Sequence, residues 1–295
     1  MNMETITNDL LTILVSPHGA ELCSIRDRHG NEYLWQADPA FWRRHSPVLF
    51  PIVGSLWDGK FRMDGREYPM SQHGFARDSD FTLVGKTADE TLWELAASDA
   101  TMAVYPRRFR LRIGYRLAAN TVIVSWTVLN EDDREMPFQI GAHPAFYYPE
   151  RGGDGLRGYL RLDCGDSFTY VRIGDKACAA PDRYVQPLDG GCLRLDTATF
   201  DIDTFIIDGS QVKAASLLDR DRRPRLTMRF DSPLLGVWSP PHRDAPFVCI
   251  EPWYGRCDRV GFEGEFRDRD NVNVLAPGGV FRASYTIVID KALDD

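Results

Sequence analysis

Period-two alternation over long runs restricts this chain more than any other feature. Within residues 110–117, Leu111, Ile113, Tyr115 and Leu117 fall on one side and Arg110, Arg112 and Arg116 on the other. Successive side chains of a β-strand point to opposite faces, so this segment reads as a strand with one buried face. Residues 121–128 repeat the pattern with Val122, Val124, Trp126 and Val128, and the short link 118–120 predicts a hairpin between the two. The same spacing in Tyr285, Ile287 and Ile289 predicts a closing strand, while Asp64-Gly65, Gly190-Gly191 and Asp208-Gly209 mark turns. Helical periodicity is scarce. Its best short example is 38–44, where Asp38 caps and Pro39 fits the first turn. Many strands, frequent turns and little helix predict an all-β chain, an antiparallel sandwich or barrel rather than a parallel α/β sheet, with one large antiparallel β-sandwich as the simplest account. No repeat or linker divides the sequence, so one domain over 1–295 is expected, with RGGDGLR (151–157) as a mobile loop.

Charge narrows the partners. With 35 basic against 43 acidic residues, a net −8, nucleic acid and anionic membrane surfaces would both meet a repelling field. The start, MNMETITNDL, lacks a basic segment followed by an apolar one, and no run of about 18 apolar residues occurs. A cytoplasmic location is the expectation. The six cysteines lie far apart without CxxC or HExxH, so reduced thiols and no metal are expected. GxSxG, GxxxxGK[ST] and strand-associated GxGxxG are missing too, which argues against phosphate-transfer and dinucleotide chemistry.

Three stretches break the strand pattern, each placing a titratable residue among aromatics and glycine: SQHGFARD (71–78), IGAHPAFYYP (140–149) and CIEPWYGRCD (249–258). His73 titrates near neutrality and Gly74 lets a ligand approach the backbone; a surface turn histidine is the alternative. Arg77 suits sugar hydroxyls or a carboxylate, or a structural ion pair. Pro144 pushes His143 toward extended backbone, aiming it from a strand end into a cleft, unless it is a buried histidine bonded to a carbonyl. Glu251 follows apolar Phe247-Val248-Cys249-Ile250, at the end of a buried strand, where a carboxylate needs a compensating partner: function, or an ion pair with an arginine.

Taken in order, SPVLFPIVG with WDGKF and DGREY (46–68), QHGFARD, GAHPAF, EPWYG and the tail LAPGG (275–279) resemble the aldose 1-epimerase (mutarotase) superfamily, specifically its LacX-like bacterial subgroup. The resemblance implies a galactose mutarotase-like β-sandwich with an open sugar cleft. It also implies an enzyme that interconverts the α and β anomers of an aldose without metal or nucleotide. Carried over, Glu251 matches the general base, His143 the general acid, His73 the second histidine, Arg77 a substrate-binding residue and Asp203 a sugar-hydroxyl acceptor. Phe75, Phe146 and Trp253 would offer apolar faces to the sugar. Ser55 departs from the arginine that members commonly carry before the DGKF-like turn; Arg43 or Arg44 would have to replace that contact. A nearby Glu251 is expected to raise the His143 pKa, with the rate rising as Glu251 ionises and falling as His143 deprotonates. The rival readings are a catalytically silent sugar-binding protein, a hexose-6-phosphate 1-epimerase using Arg43, Arg44 and Arg77, and a metal-dependent β-barrel enzyme. A monomer and a homodimer are both compatible with the sequence.

Overall fold

The computed structural model describes residues 3–148 and 151–290. Two large sheets dominate it, and every named strand pair among the described residues is antiparallel. The nine-stranded sheet is centred on the expected hairpin, Phe109–Ala118 and Thr121–Asn130, joined across a two-residue turn with Ala119 at φ 51°. Val280–Ile289, the expected closing strand, pairs with Thr121–Asn130 on one side and Pro224–Phe230 on the other. Asp64 and Gly65, at φ 53° and 72°, make the tight turn between Lys60–Met63 and Arg66–Pro69, as both central residues of a type I′ hairpin require.

The eight-stranded sheet runs from Ala179–Pro187 through Ser167–Ile173, Phe205–Ile207, Leu234–Trp238, Phe247–Tyr254 and Ile140–Ala142 to Val48–Leu49, with Ala145–Tyr147 also on Phe247–Tyr254. Alternation sorts its residues between two environments. Phe205, Ile207, Val237, Val248 and Ile250 join Ile113, Val124 and Ile287 of the other sheet in the main core. Ile206, Leu234 and Trp253 form a separate cluster on the opposite face, where the candidate site lies. Fully burying each such aliphatic or aromatic side chain contributes about 1.5–3 kcal/mol, which makes this inter-sheet layer the main source of stability.

One local expectation, the short helix, fails. Residues 38–44 form a single turn, in which Asp38 accepts from the Ala40 N–H (2.8 Å) and its carbonyl accepts from Phe41 and Trp42, with no helix following. The α-helix among the described residues is Asp99–Val104, closed by a Ser98/Thr101 capping box. The 151–157 loop is tethered, because buried Arg157 grips Asp244 (3.0 Å) and Arg151 reaches the same carboxylate (2.7 Å). Pro149 of the IGAHPAFYYP stretch lies outside the described residues.

Candidate functional site

Glu251 sits within the strand Phe247–Tyr254, not at its end, and is paired with Gly236 of the neighbouring strand. Two short strands pair with the other edge: Ile140–Ala142 opposite Trp253 and Tyr254, and Ala145–Tyr147 opposite residues 247–249. His143 and Pro144 fall in the break between them. Proline has no N–H to donate and disfavours helical backbone before it, so the ladder opens here. The Pro144 carbonyl still accepts from the Ile250 N–H (3.2 Å). The break brings Nε2 of His143 to 3.3 Å from Oε2 of Glu251, with the two residues only 7% and 1% exposed.

His73 arrives from a turn held by backbone geometry. His73 and Gly74 both have left-handed backbone, at φ 68° and 74°, and a Cβ on Gly74 would stand 2.2 Å from the Phe50 carbonyl oxygen. That position therefore requires glycine. The His73 N–H donates to the Gly54 carbonyl (2.9 Å), and the Gly54 N–H donates back to Nδ1 of His73 (3.1 Å). With Nδ1 accepting, the neutral ring carries its hydrogen on Nε2. The two imidazoles lie edge to face, their centroids 5.5 Å apart.

These groups line a cleft of about 360 Å³, together with Arg77, Asp203 and Trp253. The structure thus gathers six of the eight residues that the sequence assigned to a sugar site. Of the other two, Phe75 packs against Phe50, Tyr105 and Phe109, and Phe146 is fully buried in the main core; strand and turn direction, invisible in composition, decide both. Ser55 is not among the lining residues: its carbonyl accepts from the Asp258 N–H (3.0 Å), so its visible role is in the backbone. Arg43 is exposed and absent from the lining, whereas Arg44 pairs with Asp78 (2.8 Å). Arg77 donates to the Gln72 carbonyl (2.7 Å) and leaves its buried Nε without a hydrogen bond. Asp203, itself at φ 69°, accepts from the Thr204 hydroxyl (2.8 Å).

Sequence reading missed the aromatic wall. Trp42 stacks on His143 at 4.8 Å and 27°, Trp238 meets the same ring edge-on at 5.4 Å, and both line the cleft. Trp42 is fixed by the Trp35 indole N–H, which donates to its carbonyl (2.8 Å), and by Arg243, which holds the Ala40 carbonyl (2.6 Å). Its one sequence signal is an aromatic pair, Phe41-Trp42, in a stretch that does not otherwise bury apolar residues.

Electrostatics follow from this enclosure. Burial raises the Glu251 pKa well above its ordinary value, and Asp203 adds to the shift. The Trp253 indole N–H favours the charged form without completing a hydrogen bond, and it offsets the rise without cancelling it. Burial also pulls His143 down, to about 3, with Arg77 and Arg44 pushing the same way; the upward pull expected from Glu251 is not found. His73 is lowered well below its ordinary value by burial, then by His143, Arg77 and Arg44. Burial and Arg44 bring Arg77 down to about 10. Nδ1 of His143 and Oε2 of Glu251 are buried without hydrogen-bond partners among the described residues. Such atoms are costly unless a ligand completes them.

Comparison with known proteins gives this geometry a context. The LacX proteins of Lactococcus lactis subsp. lactis, plasmid and chromosomal, are 29% and 30% identical, each over 96% of this chain and 98% of its own length. A galactose mutarotase related enzyme from Lactobacillus acidophilus superposes with a TM-score of 0.92 at 31% identity, covering 100% of this chain and 99% of its own. A galactose mutarotase-like protein from Lactobacillus casei ATCC 334 gives 0.91 at 30%, covering 98% and 100%. The family profile described as Aldose 1-epimerase matches residues 3–287, and the chain belongs to that family.

Proposed function

We propose that the protein is an aldose 1-epimerase that interconverts the α and β anomers of a hexose or related aldose through acid/base ring opening and closure. The observation that carries this reading is the buried His143–Glu251 contact at 3.3 Å, set beside a second imidazole in an open cleft. Anomerisation removes a proton from the anomeric hydroxyl and delivers one to the ring oxygen, and both oxygens are bonded to the same carbon. Two groups in mutual contact can reach both. Between the lowered imidazole value of about 3 and the raised carboxyl value the pair holds one proton, as neutral acid and neutral base or as carboxylate and imidazolium. In the second form Glu251 takes the hydroxyl proton and His143 supplies the ring oxygen. After rotation about the bond next to the aldehyde carbon, the steps reverse on the other face. His73 donates from Nε2 to the ring oxygen or an adjacent hydroxyl, while Arg77 and Asp203 hold hydroxyls further along the sugar. Trp253 supplies an apolar face.

Each positioned acid or base typically contributes about 10²- to 10⁴-fold, so Glu251→Gln should slow anomer exchange, followed by polarimetry or NMR, by at least about 10² while sugar still binds. Wild-type protein that binds sugar without accelerating exchange would instead make it a silent carbohydrate-binding member. A second reading, a phosphorylated aldose, is favoured by Arg77, which lines the cleft, and by Arg44 beside it, the two sharing Asp78 as counter-ion. Exchange rates of free and phosphorylated sugars, measured side by side, choose between them.

A further inference from the structure

We propose that Cys249, His143 and Glu251 form a three-ligand site for a thiophilic divalent cation of the zinc class, at the edge of the cleft that His143 and Glu251 line, whose occupation switches the acid/base pair off. Cys249 and Glu251 alternate along one strand and therefore present their side chains on the same face. His143 comes from the ladder break opposite them. One ligand atom from each of the three lies within 4.8 Å of the other two. The His143–Glu251 edge of 3.3 Å matches the edge of about 3.4 Å that a tetrahedron with metal–ligand bonds of about 2.1 Å requires. All three residues are buried, and Oε2 of Glu251, the carboxylate oxygen that faces Nε2 of His143, has no hydrogen-bond partner among the described residues.

A thiolate, an imidazole and a carboxylate together suit Zn²⁺ or Co²⁺ rather than the oxygen-seeking Mg²⁺ or Ca²⁺. Coordination forms one S–metal, one N–metal and one O–metal bond. It releases to solvent the thiol proton and the single proton shared by the pair. Thiolate and carboxylate then balance the two positive charges of the ion. A second set, Glu21, Cys23 and His45, also brings three ligand atoms within 4.8 Å, but Oε1 of Glu21 is occupied by the His45 and Ser46 N–H groups (2.7 and 2.9 Å). It serves as the internal control. Metal binding stands on the three side chains alone; the loss of activity rests on the proposed function.

The test titrates the purified chain with Co²⁺, whose thiolate complexes show a sulfur-to-metal charge-transfer band, and then displaces it with Zn²⁺. The expected result is one equivalent with that band in wild type and in Cys23→Ala, and its loss in both Cys249→Ala and Cys249→Ser. Zn²⁺ should slow anomer exchange by the wild type and a chelator should restore it. Cys249→Ala, active in chelator, should tolerate at least about tenfold more Zn²⁺. A band missing from wild type, or surviving in both Cys249 variants, overturns the site. Equal Zn²⁺ sensitivity of wild type and Cys249→Ala overturns the switch. A wild type that binds Co²⁺ as expected but never exchanges anomers would refute the proposed function and leave the metal site standing.

Discussion

Glu251 concentrates the conflict between folding and chemistry into one side chain. Its carboxyl is raised by burial, so the folded chain binds a proton that the unfolded chain releases near pH ~4.3. The associated stability is intact below that pH and is lost as pH rises toward the folded value. Replacing the carboxyl by an isosteric amide removes the titration. Glu251→Gln should therefore leave Tm unchanged near pH 4 and raise it at pH 8, an increment that thermal melts at the two pH values would reveal. The rate has its own signature. The one-proton pair prevails between the lowered His143 value of about 3 and the raised Glu251 value, so the exchange rate should hold across the ordinary carboxyl range and fall only as pH rises past the raised Glu251 value. This exchanges the limbs assigned from sequence, where His143 was expected to set the alkaline one. A kcat/KM profile with an acid limb at the ordinary carboxyl value would contradict it. Glu251, His143 and His73 were legible as residues because each interrupts an apolar or glycine-bearing segment. Their protonation was not, since it depends on how much water the fold excludes and on Arg44 and Arg77, which approach from elsewhere in the chain.

At the level of elements, alternation in the central hairpin named its strands and their inward faces correctly, because one buried face per strand leaves a strict period of two. The short elements were harder. Asp38 does cap, but the segment after it must deliver Trp42 against His143, and that tertiary contact replaces further helical turns. The break at His143-Pro144 was readable only as a proline effect; that two separate strands would share one partner around it required the sheet itself. The strand pair beneath the site is tightly fitted. Gly236 lies opposite Glu251, and a Cβ there would stand 2.4 Å from the Trp253 ring. Gly236→Ala should cost about 1–3 kcal/mol by overpacking and displace Trp253 in the cleft, raising KM more than it lowers kcat. Denaturant melts and steady-state kinetics on the same preparation would check both parts; an unchanged KM would separate Trp253 from the sugar.

For the whole molecule, the sandwich divides labour between its sheets: the eight-stranded one carries the cleft on the face turned away from the main core, and the nine-stranded one supports it from behind. Ile113→Ala, a fully buried change in the supporting sheet, should cost about 2–5 kcal/mol in a denaturant melt yet leave the exchange rate of the folded fraction unaltered. The overall architecture was legible because motif order and strand pattern run the length of the chain. The meeting of positions 73, 143 and 251 was not derivable from periodicity and came only through family resemblance. The indole stacked on His143 has a further consequence: the imidazole at the centre of the site is in contact with a fluorophore. An imidazolium quenches an adjacent indole by accepting an excited electron, so sugar binding that moves the shared proton onto the ring should dim the tryptophan emission, and the same sugar should leave His143→Asn bright.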